Sequence, residues 1–118
     1  MTPEGLILDS IMGWLAAKHI LAFRMPVGGA KVNAGYMRFG VKGMADVLAF
    51  PHFNLKVLCS ASQNKWHEAE ITIPLWIEVK TAKGVQSEFQ KSFQAQVKAE
   101  GHRYILARSI EDVEAALK

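Results

Sequence analysis

The stretch P-L-W-I-E-V-K-T-A-K-G-V-Q-S-E-F-Q, Pro74 to Gln90, decides how the chain is read. Leu75 to Val79 is an apolar, β-branched run interrupted by one carboxylate, the pattern of a buried strand carrying a functional side chain. Side chains alternate along a strand, so Trp76, Glu78 and Lys80 share one face and Leu75, Ile77 and Val79 the other. Glu78 and Lys80 are then neighbours at the strand's exit. Thr81 to Gly84 turn the chain, and Ser87 with Gln90 three positions on forms a capping box that opens a helix.

The plain reading of Glu78 beside Lys80 is an edge ion pair of little energetic value. A sharper reading needs a second carboxylate nearby in space. Upstream, R-F-G-V-K-G-M-A-D-V-L-A-F places Asp46 ahead of the apolar run Val47 to Phe50. Two adjacent strands presenting Asp46 and Glu78 at the same end would make a hard oxygen site suited to Mg²⁺.

Gly40, Gly43 and Asp46 (G-x-x-G-x-x-D), then Ile77 to Lys80 (I-E-V-K), then Lys83, Gly84, Ser87 and Gln90 (K-G-x-x-S-x-x-Q) together resemble the VRR-NUC domain. This is the virus-type replication-repair nuclease branch of the PD-(D/E)XK superfamily. The closing segment G-H-R-Y-I-L-A-R-S-I-E-D-V-E-A-A-L is similar to the strand and short helix that end such domains. The likeness runs from the first helix to the C-terminus. It implies an α/β fold, a restriction-endonuclease-like mixed β-sheet core flanked by helices in the order α-β-β-β-α-β-α. It further implies a Mg²⁺- or Mn²⁺-dependent endodeoxyribonuclease, structure-selective on branched DNA such as four-way junctions, and a homodimer. If the chain is phage-encoded, the host cytoplasm is its expected location.

In this reading Asp46 and Glu78 bind the metal, with the Val79 carbonyl as a further oxygen ligand. Lys80 orients or deprotonates a water, or balances charge on the phosphate, and Gln90 helps to position water, phosphate or Lys80. Lys31, Arg38, Lys42 and Lys83 are expected to contact the DNA backbone, which positions DNA without reading its sequence. Ala45 stands where the superfamily name has Pro, which changes the turn's stiffness and leaves the ligand. The first helix of such nucleases often adds an acidic residue, but Leu6 and Leu8 occupy the expected places here. Glu4 and then Asp9 are nearest; helix-end solvation explains either, and both are left out of the site.

The 118 residues bound one domain, 1–118, half of it hydrophobic and 21% charged, a globular composition. The single Cys59 excludes an intrachain disulfide, and a reduced, cytosolic setting is expected. Leu6 to Ala17 is broken by Asp9, lacks a basic flank and is too short for a bilayer, so neither export nor a membrane is expected. Net charge is only +3, yet no Asp or Glu falls between Asp9 and Asp46, while Lys18, Arg24, Lys31, Arg38 and Lys42 do. Such an acid-free segment suits an approaching polyanion, or is simply a solvated basic face.

In order, Thr2-Pro3-Glu4 starts a helix whose Leu8, Ile11, Met12 and Leu15 face the core. Ile20 to Val27 reads as the first strand, Gly28 to Gly35 as a flexible loop, and Tyr36 to Phe39 as a short strand or DNA-facing loop. Gly40 and Gly43 permit a tight turn before Asp46 or a close approach to phosphate. The interval from Asp46 to Glu78 is longer than the resemblance leads one to expect, so 51–70 reads as an inserted segment. Leu55 to Cys59 would make it a hairpin, with Phe53, Leu55 and Trp66 as a dimer contact, or it is a flap on DNA. His52, Cys59 and His67 match no zinc-site spacing and lack a fourth ligand. Phe89, Phe93 and Val97 are expected on the buried side of a helix ended by Gly101 as C-cap, and Ser109 caps a last helix to Leu117. Two other classes stay open: a non-catalytic DNA-binding module of this fold, and an α/β interaction domain in which Asp46, Glu78 and Lys80 form a surface ion network. Magnesium-dependent nicking of a labelled junction discriminates the first, and a calorimetric Mn²⁺ titration the second.

Overall fold

The computed structural model describes residues 2–25 and 41–118, and between them the backbone of two strands, 28–32 and 35–39. Helix α1 (Pro3–Ala17) begins where Thr2 Oγ1 accepts the Gly5 N–H at 3.0 Å, with Pro3 in the first turn. It ends in a two-bond αL cap: His19 adopts φ 58, and the His19 and Ile20 N–H groups donate to Ala16 and Leu15. Strands β1 (Leu21–Arg24), β4 (Val47–Phe50), β7 (Leu75–Val79) and β8 (Arg103–Ala107) form one mixed sheet in the order β1-β4-β7-β8. The first two junctions are antiparallel; β7 and β8 run parallel, joined through α2 (Glu88–Ala99). Helix α3 (Ile110–Ala116) closes the chain.

Alternation along β7 decides the layering. Leu75, Ile77 and Val79 are fully buried with Ile11 and Leu15 of α1, Val47 and Ala49 of β4, Ala107 of β8 and Val113 of α3. Each Val, Leu or Ile among them contributes about 1.5–3 kcal/mol on burial. The other face carries Trp76 and Tyr104, packed under Phe93 and Val97 of α2, with the Trp76 and Phe93 rings edge to face at 5.0 Å. The sheet is therefore covered on both sides, by α1 and α3 below and α2 above. Leu8 and Met12, expected in the core, pack against it only partly buried.

Two hairpins are added to this body. One is β2 (Gly28–Val32) paired with β3 (Gly35–Phe39), so the stretch expected as a flexible loop is paired strand over most of its length. The other is β5 (His52–Ser60) with β6 (Lys65–Thr72), inside the segment read as an insertion. Across β5 and β6, Phe53, Leu55 and Val57 face Ile71, Ala69 and His67, whereas Leu58 faces Trp66. Cross-strand partners share a face, so Trp66 lies opposite Phe53 and Leu55 and does not join them in one surface. Without the hairpins the element order is α1-β1-β4-β7-α2-β8-α3; with them, seven strands precede α2.

Smaller departures have local causes. The first strand stops at Arg24 rather than Val27, whose placement lies outside the described residues. Glu100 is the C-cap of α2 and Gly101, φ 84, is the residue beyond it; its N–H and that of His102 close the cap onto Lys98 and Val97. Ser109 sits at the N-cap of α3, but its side chain makes no capping bond; Asp112 instead reaches back to the Arg108 N–H at 2.8 Å. Phe89, expected in the core, is exposed. Among the described residues no helix is long and apolar enough to cross a membrane.

Candidate metal centre

The antiparallel register of β4 and β7 pairs Val47 with Ile77 and Leu48 with Trp76, so one step further Asp46 lies opposite Glu78. Opposed residues project from the same face, which brings the two carboxylates together. Asp46 is held at both ends: its carbonyl accepts the Met25 N–H at 2.8 Å, and its Oδ2 accepts the Val79 N–H at 2.7 Å. Glu78 is only 1% exposed. Its Oε1 accepts from Gln90 Nε2 at 2.8 Å and lies 3.9 Å from the Lys80 ammonium; its Oε2 is buried without a hydrogen-bond partner.

Gln90 does two jobs with one amide. Its Oε1 accepts the Ser87 N–H at 2.8 Å, completing a capping box with the Gln90 N–H on Ser87 Oγ at 3.2 Å. The oxygen being engaged by a donor, the NH₂ end is left to face Glu78. Helix capping and site formation are thus one hydrogen-bond system.

Burial pushes the Glu78 carboxyl up from 4.5 to about 8, reinforced by the neighbouring Asp46 charge and a hydrogen-bonding interaction with Asp46 and opposed by Lys80. Tyr104 is raised to about 12, first by burial and then by the Glu78 charge, while its bond from Gln86 Nε2, 3.0 Å from the hydroxyl, works the other way.

An unpartnered buried carboxylate oxygen beside a second carboxylate is a donor set that a hard divalent ion completes. Such an ion would replace the proton on Glu78 and satisfy its orphan oxygen, so Asp46 and Glu78 fit Mg²⁺ or Mn²⁺. Among the described residues no group of three or more His, Cys, Asp or Glu is arranged as a metal cage. Mg²⁺ commonly makes do with one or two carboxylates and keeps several waters.

Glycines set the approach of the parts. Gly43 has φ 83, and a Cβ there would lie 2.4 Å from the carbonyl carbon and oxygen of Phe89 and 2.8 Å from the Gln90 nitrogen. The close approach that Gly43 allows is therefore to the start of α2, and it fixes the 41–44 turn, and Asp46 after it, against Gln90. Gly40 lies outside the described residues. Gly84 lies against the Lys80 stem, where a Cβ would be 3.3 Å from Lys80 Cβ and Cδ.

Of the expected DNA contacts, Lys42 is exposed in the 41–44 turn with its ammonium 3.9 Å over the Phe89 ring, and Lys83 is exposed in the turn leaving β7. Both border the carboxylates. Lys31 and Arg38 fall on β2 and β3 at register positions opposite Tyr36 and Gly29, and their side chains lie outside the described residues. Arg24 pairs with Asp9 at 3.5 Å, which removes Asp9 from the site, and Lys18 sits over the Trp14 ring.

Sequence reasoning weighed Glu4 but left it out of the site, and missed Arg108. Glu4 is close enough for its charge to raise Glu78; its place in the first turn of α1 was the available signal. Arg108 donates from one guanidinium nitrogen to the carbonyl of Thr81 and, at 2.9 Å, to that of Gly84. It pins the turn carrying Lys83 from the far end of β8, and no local spacing foretells a contact across more than twenty residues. No family model, curated protein or solved structure matches the chain.

Proposed function

We propose that the chain is a divalent-metal-dependent DNA endonuclease hydrolysing phosphodiester bonds, a VRR-NUC-like domain with a restriction-endonuclease-like core. The observation that carries this reading is Glu78: buried, opposite Asp46, with one oxygen unpartnered and an ammonium 3.9 Å from the other. A mixed sheet with helices on both faces supports that reading.

Bound Mg²⁺ or Mn²⁺ would supply an activated water and neutralise charge at the phosphate. Asp46 and Glu78 hold the ion, with the Val79 carbonyl as a further ligand. Gln90 Nε2 fixes Glu78 Oε1 and leaves Oε2 without a protein hydrogen-bond partner, free for the ion. Lys80 stands where it can orient or deprotonate a water, or meet the phosphate's developing charge. Lys42 and Lys83 take the DNA backbone on either side, with Lys31 and Arg38 as further cations of the hairpin. Branched DNA and a two-fold dimer belong to the same proposal; a two-fold enzyme presents two sites to a two-fold junction. The exposed Leu55 and Val57, on one face of the β5–β6 hairpin, support a contact between copies.

A second reading is a non-catalytic DNA-binding module of the same fold. Cleavage of labelled linear, flap, splayed and four-way DNA side by side, with and without Mg²⁺, tests both. Metal-dependent products are expected, and their absence on every substrate overturns the nuclease reading.

A further inference from the structure

Helix α2 buries Phe93 and Val97 but turns Phe89 outward, 52% exposed, immediately before the Gln90 that holds Glu78. The 41–44 turn, closed by the Met44 N–H on the Val41 carbonyl at 2.9 Å, lies against the backbone of Phe89 at Gly43. That contact fixes the backbone at Phe89 and Gln90 against the turn. Lys42 rests its ammonium 3.9 Å over the ring. Val41 and Val85, the latter 79% exposed, stand in the same two loops.

A single exposed apolar side chain needs no explanation. Here Val41 and Val85 occupy the two loops beside a buried carboxylate with an unpartnered oxygen, Phe89 stands in the first turn of α2, and cations sit among them. An aromatic face with adjoining ammonium groups is the surface on which single-stranded nucleic acid binds: bases stack on the ring, and lysines meet the backbone. Lys42 is long and exposed, so its ammonium can move from the ring to a phosphate and leave the face to a base. Glu88, the anionic neighbour of Phe89, is paired with Lys91 at 3.3 Å.

We propose that Phe89 is a stacking platform for an unpaired DNA base, with Lys42 on the adjoining phosphate. Where this rests on the nuclease reading, it makes the preferred substrate one with unpaired nucleotides next to the cleaved bond.

The test uses the intact chain and oligonucleotides carrying 2-aminopurine in an unpaired stretch beside a duplex, without divalent metal. Stacking is expected to change the fluorescence of the probe on binding. Phe89→Ala is expected to remove that change and to reduce the preference for single-stranded over duplex DNA by about 5- to 140-fold, the range for loss of one stacked base. Phe89→Trp should retain both, and Phe89→Leu, which keeps the apolar bulk and thus the fold, should lose both. Urea midpoints confirm that the compared variants are folded. No fluorescence change with the unsubstituted chain, or full preference in folded Phe89→Leu, overturns the platform. A chain that stacks the probe but cuts nothing with Mg²⁺ keeps the platform and loses the nuclease; one that cuts without stacking loses the platform alone.

Discussion

The β4–β7 ladder and the β5–β6 hairpin are both antiparallel pairs, and each holds a glutamate next to a basic group, yet the two glutamates live in different media. In the hairpin, His52 Nδ1 and Glu70 Oε1 are 2.7 Å apart with side chains 61% and 63% exposed. In the sheet, Lys80 and Glu78 are 3.9 Å apart with side chains 14% and 2% exposed. The shorter contact is the less consequential one. Water screens the hairpin pair, so it is worth a few tenths of a kcal/mol. Under α2 there is little water to screen or solvate Glu78, and its charge must be met by Gln90, Lys80 or a cation.

The largest effect should come from breaking the buried side of this comparison. Asp46→Asn or Lys80→Ala is expected to lower metal-dependent cleavage by about a thousand-fold or more, the scale on which enzymes lose a principal electrostatic group. DNA binding in a gel-shift assay should largely persist, and full activity in either variant would remove the proposed centre.

Stability against pH follows next. Glu78 titrates near 4.5 when unfolded and near 8 when folded, so the folded state holds the extra proton between these values. Its contribution is complete below pH 4.5 and is lost as pH rises through 8, by at most about 5 kcal/mol at 1.36 kcal/mol per unit. Urea denaturation of the metal-free chain should therefore show stability falling over that window. Glu78→Gln should flatten the curve, and Mn²⁺ should recover stability at its alkaline end. Glu70→Gln in the hairpin should change stability by less than about 0.5 kcal/mol.

Two glycine substitutions sharpen the same contrast between packed and open backbone. At Gly43, φ 83 and a Cβ at 2.4 Å from the Phe89 backbone make Gly43→Ala costly, by about 3 kcal/mol or more, with the site disturbed as well. At Gly13 an added Cβ meets nothing within 4 Å, and Gly13→Ala in the middle of α1 should stabilise by about 0.5–1 kcal/mol. Thermal or urea midpoints of the pair measure both signs.

Much of the chain was legible from local spacing. The β7 run, its division into two faces, the Ser87–Gln90 capping box and the Thr2-Pro3 helix start were read correctly because each is set by residues within a few positions of one another. A hairpin was expected within 51–70 from the Leu55–Cys59 run, although Trp66 does not share a surface with Phe53 and Leu55, since only cross-strand register assigns faces. Phe89 was misread because helical periodicity names a stripe and not its ends; the first turn of α2 runs past the edge of the core.

By itself, then, the order of residues determined which segments alternate and where helices open, and it singled out Asp46, Glu78, Lys80 and Gln90 as the candidate site. Only the tertiary structure decided that Glu78 is sealed beneath α2 with an oxygen left over, that Glu4 acts on it from another helix, and that Arg108 ties down the turn after Lys80. The reason is one of range. Dihedral preferences and caps act over three or four residues, whereas burial, charge and clamping contacts depend on which distant segments the sheet brings side by side.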